Sequence, residues 1–388
     1  MLPSTRLGLP TYAAAQPAAD RIHRHLATHA VQAAFPVAAL PEAATLAVLI
    51  DAAFWTSLRR EEGYIPRISL AFVAPEQVEN AVVFANHIRL DPKDLTKVAA
   101  AVERAGLHLG VWPAPDGEIR VWGISRSLPP YCLVLEVILP GLLVVKRSPA
   151  EESGKFINIA VLQGDEIKII DPDVTISPAQ SNLLSSLLRL DSEFPAGPAV
   201  NVLLELAVSM RAHGRGGSLL VVPASSEAWS ESILQPITYS VSPSFSRLAD
   251  LIDKEPGGRK EPAGKPSQRW EEALARAIDG IAGLTAVDGA TLITADYRLL
   301  AFGAKIVRRK GSQIVGQVIA TEPVEGGTPV MAEPSQFGGT RHLSAAQFVH
   351  DQRDAIALVA SQDGRFTVFA WSEPHETVHA HRIDALLL

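Results

Sequence analysis

From Leu107 to Ile170 the chain passes through six short segments rich in Val, Ile and Leu: Leu107–Val111, Ile119–Ile124, Leu133–Leu139, Leu142–Lys146, Phe156–Leu162 and Glu166–Ile170. Asp116-Gly117, Pro140-Gly141 and Gly164-Asp165 separate several of them. Such dipeptides reach the positive φ that a tight hairpin turn needs. Apolar runs this short, closed by turns of this kind, predict a mostly antiparallel sheet, which Asp171-Pro172-Asp173 ends.

Helical spacing dominates before this region. Residues 17–62 read as helical, with Ala44, Leu46, Val48, Leu49, Ala52 and Ala53 forming an apolar face and Gly63 standing as the C-cap after Arg59-Arg60-Glu61-Glu62. Ile68–Val73, bounded by Pro66 and Pro75, predicts a buried strand. Asp91 is placed to cap a helix that begins at Pro92 and runs to Ala105, with Gly106 at its end.

Beyond residue 173, Ser177-Pro178 opens a further helix, and Gly197-Pro198 leads into a helix over Val200–Arg211. A strand at Ser218–Val222 and a loop ending near Pro243 follow. The Gly-, Pro- and charge-rich stretch 253–268 reads as a mobile insertion. A helix at Trp270–Ala282 then leads into strands at Ala290–Thr294, Leu299–Gly303, Ile314–Thr321, Ile356–Ser361 and Arg365–Trp371, with a helix at Ser344–Gln352. No internal repeat stands out. The expected class is α/β (α+β): a mixed sheet flanked by helices in residues 196–388, a helical connection over 178–195, and a separate mixed α/β domain over 1–177.

Composition narrows the function classes. Apolar residues make up 47% and charged residues 20%, the profile of a globular protein. A formal charge of −7 argues against a nucleic-acid or anionic-membrane partner, although a local basic pocket can still hold phosphates. Cys132 is the one cysteine, which excludes an internal disulfide and a multi-thiolate zinc site; its apolar surroundings predict a small buried hydrophobe. The most apolar stretch, Tyr131–Val145, is interrupted by Pro140-Gly141, and the first residues lack a secretory pattern, so the expected location is cytoplasmic.

Two constellations carry candidate chemistry. The first is Thr285-Ala286-Val287-Asp288-Gly289-Ala290, between a helix and a strand. A carboxylate there can hold a metal ion, and the glycine admits a phosphate or sugar close to the backbone; an ordinary Asp-Gly turn uses the same residues. The second is Gly338-Gly339-Thr340-Arg341-His342, ahead of Leu343-Ser344-Ala345-Ala346. Exposed backbone N–H groups, a hydroxyl, a planar guanidinium and a helix N-terminus make up a phosphate cradle. A plain glycine loop with a surface arginine has the same composition.

Taken together and in this order, the two constellations resemble the diadenylate cyclase family over roughly residues 196–375. That family's pattern is a helix, Asp-Gly-Ala opening a hairpin, Gly-Thr-Arg-His-Arg before an Ala-rich helix, and a strand ending in Ser-Glu-Glu. Here Ala207–Val222 matches the opening helix and strand, Asp288–Gly303 the hairpin, and Ser361-Gln362-Asp363 the strand end. The family condenses two ATP molecules into cyclic di-AMP, each ATP held by one of two facing subunits. The resemblance implies a nucleotide ligand, a divalent metal (Mg2+ or Mn2+) on Asp288, and a catalytic set of Asp288, Arg341 and His342. Gly289, Ala290 and Gly303 would shape the nucleotide wall, with Gly339, Thr340, Arg341, His342 and Ser361 near the phosphates. It also implies a homodimer or higher face-to-face assembly.

The departures fall on charge. The second arginine of the family's motif is Leu343, one acid of its Ser-Glu-Glu is Gln362, and Val287 precedes Asp288 where His is frequent. Losing a charge-neutralising group costs turnover more than ground-state binding. The pattern therefore resembles the divergent DACNV-type branch of nucleotide sensors, an impression that Ser57-Leu58-Arg59-Arg60-Glu61-Glu62-Gly63 and Leu284–Ala290 reinforce. The expectation is a nucleotide-binding regulatory sensor acting through a protein effector, with an active metal-dependent nucleotidyltransferase as the alternative.

Three other signals are weaker. His375-Glu376-Thr377-Val378-His379 matches a zinc-protease pattern, but that chemistry needs a helix, and Thr377, Val378 and Ile383 favour a strand. His213-Gly214-Arg215-Gly216-Gly217 reads as a helix-to-strand connection and Arg308-Arg309-Lys310-Gly311 as a solvated turn.

Overall fold

The computed structural model describes residues 11–28, 38–149, 156–171, 201–253 and 268–388. The helix expected to open at Ser177-Pro178, the connection 178–195, Gly197-Pro198 and residues 254–267 of the expected insertion lie outside the described residues. Those that are described group into two compact units, the first comprising the residues up to Ile170 together with Leu388, and the second lying within Asp171–Leu387. The class is α+β, with two mixed sheets flanked by helices.

In the first unit, helices α1 (Ala15–Thr28), α2 (Ala43–Ser57) and α3 (Pro92–Val98) accompany strands β1 (Ser69–Phe72), β2 (Val82–Arg89), β3 (His108–Pro113), β4 (Ile119–Ser125), β5 (Leu133–Leu139), β6 (Leu142–Arg147), β7 (Ile157–Gln163) and β8 (Glu166–Ile169). The sheet order is β2-β4-β3-β1-β5-β6-β7-β8. Period-two alternation sends Leu70 and Phe72 of β1 into the core under the helices, while Ala71 and Val73 join Trp122, Cys132 and Val134 on the other face. Cys132 is fully buried, as its apolar setting predicts. The Asp91 side chain caps α3 by accepting from the Lys93 N–H at 2.9 Å. Two expectations need correction. Residues 17–62 are not one helix, and α2 stops at Ser57 with Leu58 as its C-cap, well before Gly63. The helix after Asp91 gives way to a short 3-10 turn, Ala99–Ala101.

The second unit contains helices α4 (Val202–Ala212), α5 (Arg247–Asp253), α6 (Gln268–Leu284) and α7 (Thr340–Asp351). Its strands are β9 (Gly217–Val222), β10 (Tyr239–Phe245), β11 (Ala290–Thr294), β12 (Leu299–Ala304), β13 (Val318–Thr321), β14 (Val330–Ala332), β15 (Ile356–Ala360), β16 (Phe366–Ser372) and β17 (Thr377–Arg382). The order is β10-β12-β11-β9-β15-β16-β17-β13-β14. One face packs on α4, α5 and α6 through Leu219, Val221, Ile293 and Leu358; the other packs on α7 through Leu220, Leu292, Ala357 and Val359. Cover on both faces is why β9 is buried at every position and reads as a continuous apolar run.

The two sheets share one connectivity, although no repeat stands out in the sequence. Seven consecutive positions correspond: β2-β4-β3-β1-β5-β6-β7 against β10-β12-β11-β9-β15-β16-β17. Strand directions agree throughout. β1 is parallel to β3 as β9 is to β11, and every other pair in the two series is antiparallel. In both units an aromatic–glycine pair, Trp122-Gly123 or Phe302-Gly303, sits on the strand paired with the edge strand, and each glycine packs closely against that neighbour. The main difference is the link into the fifth strand of the series. It is the short stretch 126–132 in the first unit, whereas in the second it is residues 305–355, which include β13, β14 and α7.

Candidate functional site

Strand register assembles the site. Ala290 of β11 pairs with Ser218 of β9 and with Ala304 of β12, while Gly217 of β9 pairs with Ala360 of β15 and Tyr239 of β10 pairs with Phe302. The starts of β9, β10 and β11 and the ends of β12 and β15 therefore lie along one end of the sheet. Asp288 and Gly289 precede β11, Gly216 precedes β9, Gly303 is the last residue but one of β12, and Ser361 follows β15. Residues far apart in sequence thus share that end.

Close packing between backbones dictates the glycines. Gly289 has φ +104°, and a Cβ there would stand 2.5 Å from the Gly303 carbonyl carbon. Gly303, at φ +61°, faces the Tyr239 ring, with a built Cβ 2.9 Å from its Cδ2. A Cβ on Gly217 would meet the Thr285 carbonyl oxygen at 2.5 Å. The His213 imidazole Nε2 bonds the Thr285 hydroxyl at 3.1 Å, so the loop before β9 and the loop before β11 are held together. Asp288 itself is exposed, and Ala290 is buried in the core beneath α7.

α7 begins at Thr340, four residues earlier than the sequence suggests, so Thr340 and Arg341 are its first-turn residues. Gly339 is the N-cap, with no side-chain cap on the first-turn N–H groups. Arg341 is half-buried and reaches toward the start of β9, where a Cβ on Gly216 would be 3.1 Å from its Nη1 and 3.3 Å from Gln362 Cγ. Among the described residues its guanidinium has no carboxylate partner. His342 points inward: it is 2% exposed, its ring lies under Gly338, and neither ring nitrogen has a hydrogen-bond partner among the described residues. Burial pushes its pKa down to about 4, with Asp363 opposing that shift and Arg365 and Arg341 adding to it, so the imidazole is neutral near pH 7.

The turn after β15 supplies the remaining polar groups. The Ser361 N–H donates to the Arg365 carbonyl at 2.9 Å, and Gln362 Nε2 donates to the Arg215 carbonyl at 3.3 Å. Burial works to raise the Asp363 pKa, but hydrogen bonds from the Ser361 side chain and the Arg365 N–H, with the Arg365 charge, hold it below the usual carboxylate range. Among the described residues no three His, Cys, Asp or Glu side chains converge to hold a metal ion. Asp288 alone fits a magnesium-type ion only as one ligand, the nucleotide's phosphates and water supplying the other oxygens. The zinc-protease pattern is not on a helix: Thr377–Arg382 forms β17, with His379 and His381 buried.

Tyr239 is the feature that motif reading missed. Its ring stacks on Phe302 with centroids 4.8 Å apart and planes 2° apart, yet Tyr239 remains 48% exposed. An aromatic held flat at the end of the sheet that also carries Asp288 and Arg341 is a surface on which a planar base can stack.

No helix among the described residues is long and apolar enough to cross a membrane. No curated protein matches the chain. Residues 35–126, which run from ahead of α2 to one residue past β4 in the first unit, match a family model described as the probable sensor domain DACNV.

Proposed function

We propose that the chain is a regulatory sensor protein whose second unit binds ATP or a related nucleotide at the Asp288, Arg341 and Tyr239 end of its sheet. The observation that carries the reading is Arg341, a half-buried cation with no carboxylate partner among the described residues, lying against Gly216, which Gln362 also approaches, beside a helix start without a side-chain cap. A guanidinium in that position, beside Thr340 and Arg341 N–H groups that no N-cap side chain engages, suits phosphate oxygens. Asp288 carries the Mg2+ or Mn2+ that accompanies the phosphates, and Tyr239 stacks on the base. His342 supports the loop from beneath as a neutral ring, and Ser361 orients Asp363. The DACNV match in the first unit supports the sensing role.

Binding without turnover is favoured because Leu343, 43% exposed, replaces a cation of the motif, and Gln362 replaces a carboxylate. The test is incubation of the full chain with ATP and Mn2+ or Mg2+, read by mass spectrometry beside Asp288→Asn, with ATP affinity measured for Arg341→Ala. Intact ATP, bound in the parent and weakened in Arg341→Ala, is the expected result. Cyclic di-AMP that disappears in Asp288→Asn would replace the sensor with a diadenylate cyclase, and absence of both product and binding would remove both readings.

A further inference from the structure

We propose a second ligand site at the opposite end of the second unit's sheet, a cleft for a small molecule that carries an oxyanion, a phosphate monoester or a carboxylate. The cleft is half open, with about 610 Å³ of accessible room, and lies between Pro223 after β9, the Arg309–Ser312 turn, and His350 to Asp354 at and just beyond the end of α7. That volume falls in the range of small-molecule pockets. The length of β9 separates it from the Arg341 end by about 20 Å.

Its walls are fixed by a buried carboxylate. The Asp351 side chain is fully buried and accepts from the Arg309 N–H at 2.8 Å, Gln347 Nε2 at 2.9 Å, the Ser312 hydroxyl and the His350 ring. Asp351 is thus spent on holding the 309–312 turn against α7. The Arg309 guanidinium is likewise engaged, by Glu231 at 2.7 Å.

Two cations remain for a ligand. Lys310 is exposed at the tip of the turn and has no ion pair among the described residues. The Arg353 guanidinium is held 4.0 Å above the Trp371 ring, which His350 meets edge-on at 5.9 Å. Stacking fixes the guanidinium plane and leaves its N–H edge for an acceptor. Against these two cations the lining offers one uncommitted carboxylate, the exposed Asp354, and half-buried Trp229 adds an apolar wall. Two cations, one of them pre-oriented, beside an aromatic surface recognise an oxyanion attached to a compact apolar body.

Titration calorimetry on the full chain, with inorganic pyrophosphate and citrate as probes for the two kinds of oxyanion, tests the site. At least one probe is expected to bind saturably, to weaken about tenfold or more in Lys310→Ala/Arg353→Ala, and to be unchanged in Arg341→Ala. Because Arg353→Ala also uncovers Trp371, Lys310→Ala alone must weaken binding by about threefold or more; its exposed side chain leaves the fold intact. No saturable binding of either probe, binding indifferent to Lys310, or binding lost in Arg341→Ala would each overturn the proposal. The last result would assign the anion to the other end of the sheet and leave the nucleotide reading standing.

Discussion

The Arg341 guanidinium occupies room that Gly216 leaves for it: a Cβ on Gly216 would stand 3.1 Å from Arg341 Nη1 and 3.2 Å from the Ala360 carbonyl oxygen. Gly216 also has φ +69°, a conformation in which a side chain costs about 1–2 kcal/mol. Gly216→Ala is therefore expected to lower stability by roughly that amount and to displace Arg341, weakening ATP binding as well. Urea denaturation and ATP titration on the same variant check both effects. Unchanged affinity would show that Arg341 does not need its place beside Gly216.

Asp288 and Gly289 are neighbours with different duties, and their variants should separate cleanly. Asp288→Asn changes an exposed side chain and is expected to alter stability by no more than about 0.5 kcal/mol. Gly289→Ala forces a Cβ to within 2.5 Å of the Gly303 backbone at φ +104°, so a loss of about 3 kcal/mol is expected. Denaturation curves in which the two variants lose equal stability would contradict this assignment.

Tyr239→Ala should lower ATP affinity about 5- to 50-fold while leaving affinity for inorganic triphosphate unchanged, because stacking acts on the base alone. Tyr239 is 48% exposed, so truncation does not open the core. Equal losses for both ligands would mean that the ring orders the site rather than receiving the base.

What could and could not be read from the chain follows from burial. β9 and β15 are buried along their whole length, and their apolar runs stand out. β2 and β10 go unread although both are edge strands: β2 has no buried position and no regular alternation, while in β10 the alternation of Tyr239, Val241 and Phe245 with serines is broken by Pro243, which reads as a loop. The start of α7 is displaced because Gly339 caps it without a side-chain hydrogen bond, leaving no Ser, Thr, Asp or Asn signal. Asp288, Gly303, Arg341 and Ser361 are legible as motif residues, but Tyr239 is not, since it is defined by a stacking partner on another strand. The shared connectivity of the two sheets is hidden because it requires only strand-forming segments joined by suitable turns, which Ser69–Phe72 and Gly217–Val222 satisfy with different residues.

Acid should destabilise the second unit in two separate windows. Burial pushes His342 and His379 down to about 4 and His381 to about 3. An unfolded imidazole titrates near 6.5, so below that pH the unfolded chain takes up protons that the folded one does not. Stability is present in full above about pH 6.5 and is lost as pH falls toward 4, by about 1–3 kcal/mol for each buried ring. Asp296, Asp351 and Asp363, all held below the usual carboxylate range, act only at lower pH. Thermal unfolding between pH 7 and pH 4.5 should show the first window, with a shallower slope in His342→Gln (about pH 7 and 4.5 bracket it). A flat profile would mean that these rings gain protons in the fold.

Asp351 is the residue on which the far cleft depends. Its carboxylate is fully buried, and burial alone would raise its pKa; hydrogen bonds from Ser312, the Arg309 N–H, His350 and Gln347 reverse that and keep it ionised. Asp351→Ala removes the acceptor and takes from the Arg309 N–H its bond to the carboxylate, while Gln347 Nε2 and the Ser312 hydroxyl keep contacts to the Gln313 carbonyl, so a loss of about 2–3 kcal/mol is expected. Asp351→Asn keeps an acceptor oxygen but places an amide against donors, and should fall between Ala and the parent. The more specific readout is hydrogen exchange at the Arg309 amide, whose bond to Asp351 Oδ2 is 2.8 Å. Exchange there should quicken by about tenfold or more in Asp351→Ala while the amides of β9 and β15 stay protected. If those strands lose protection together with Arg309, Asp351 supports the whole sheet, and the turn is not an independent wall of the cleft.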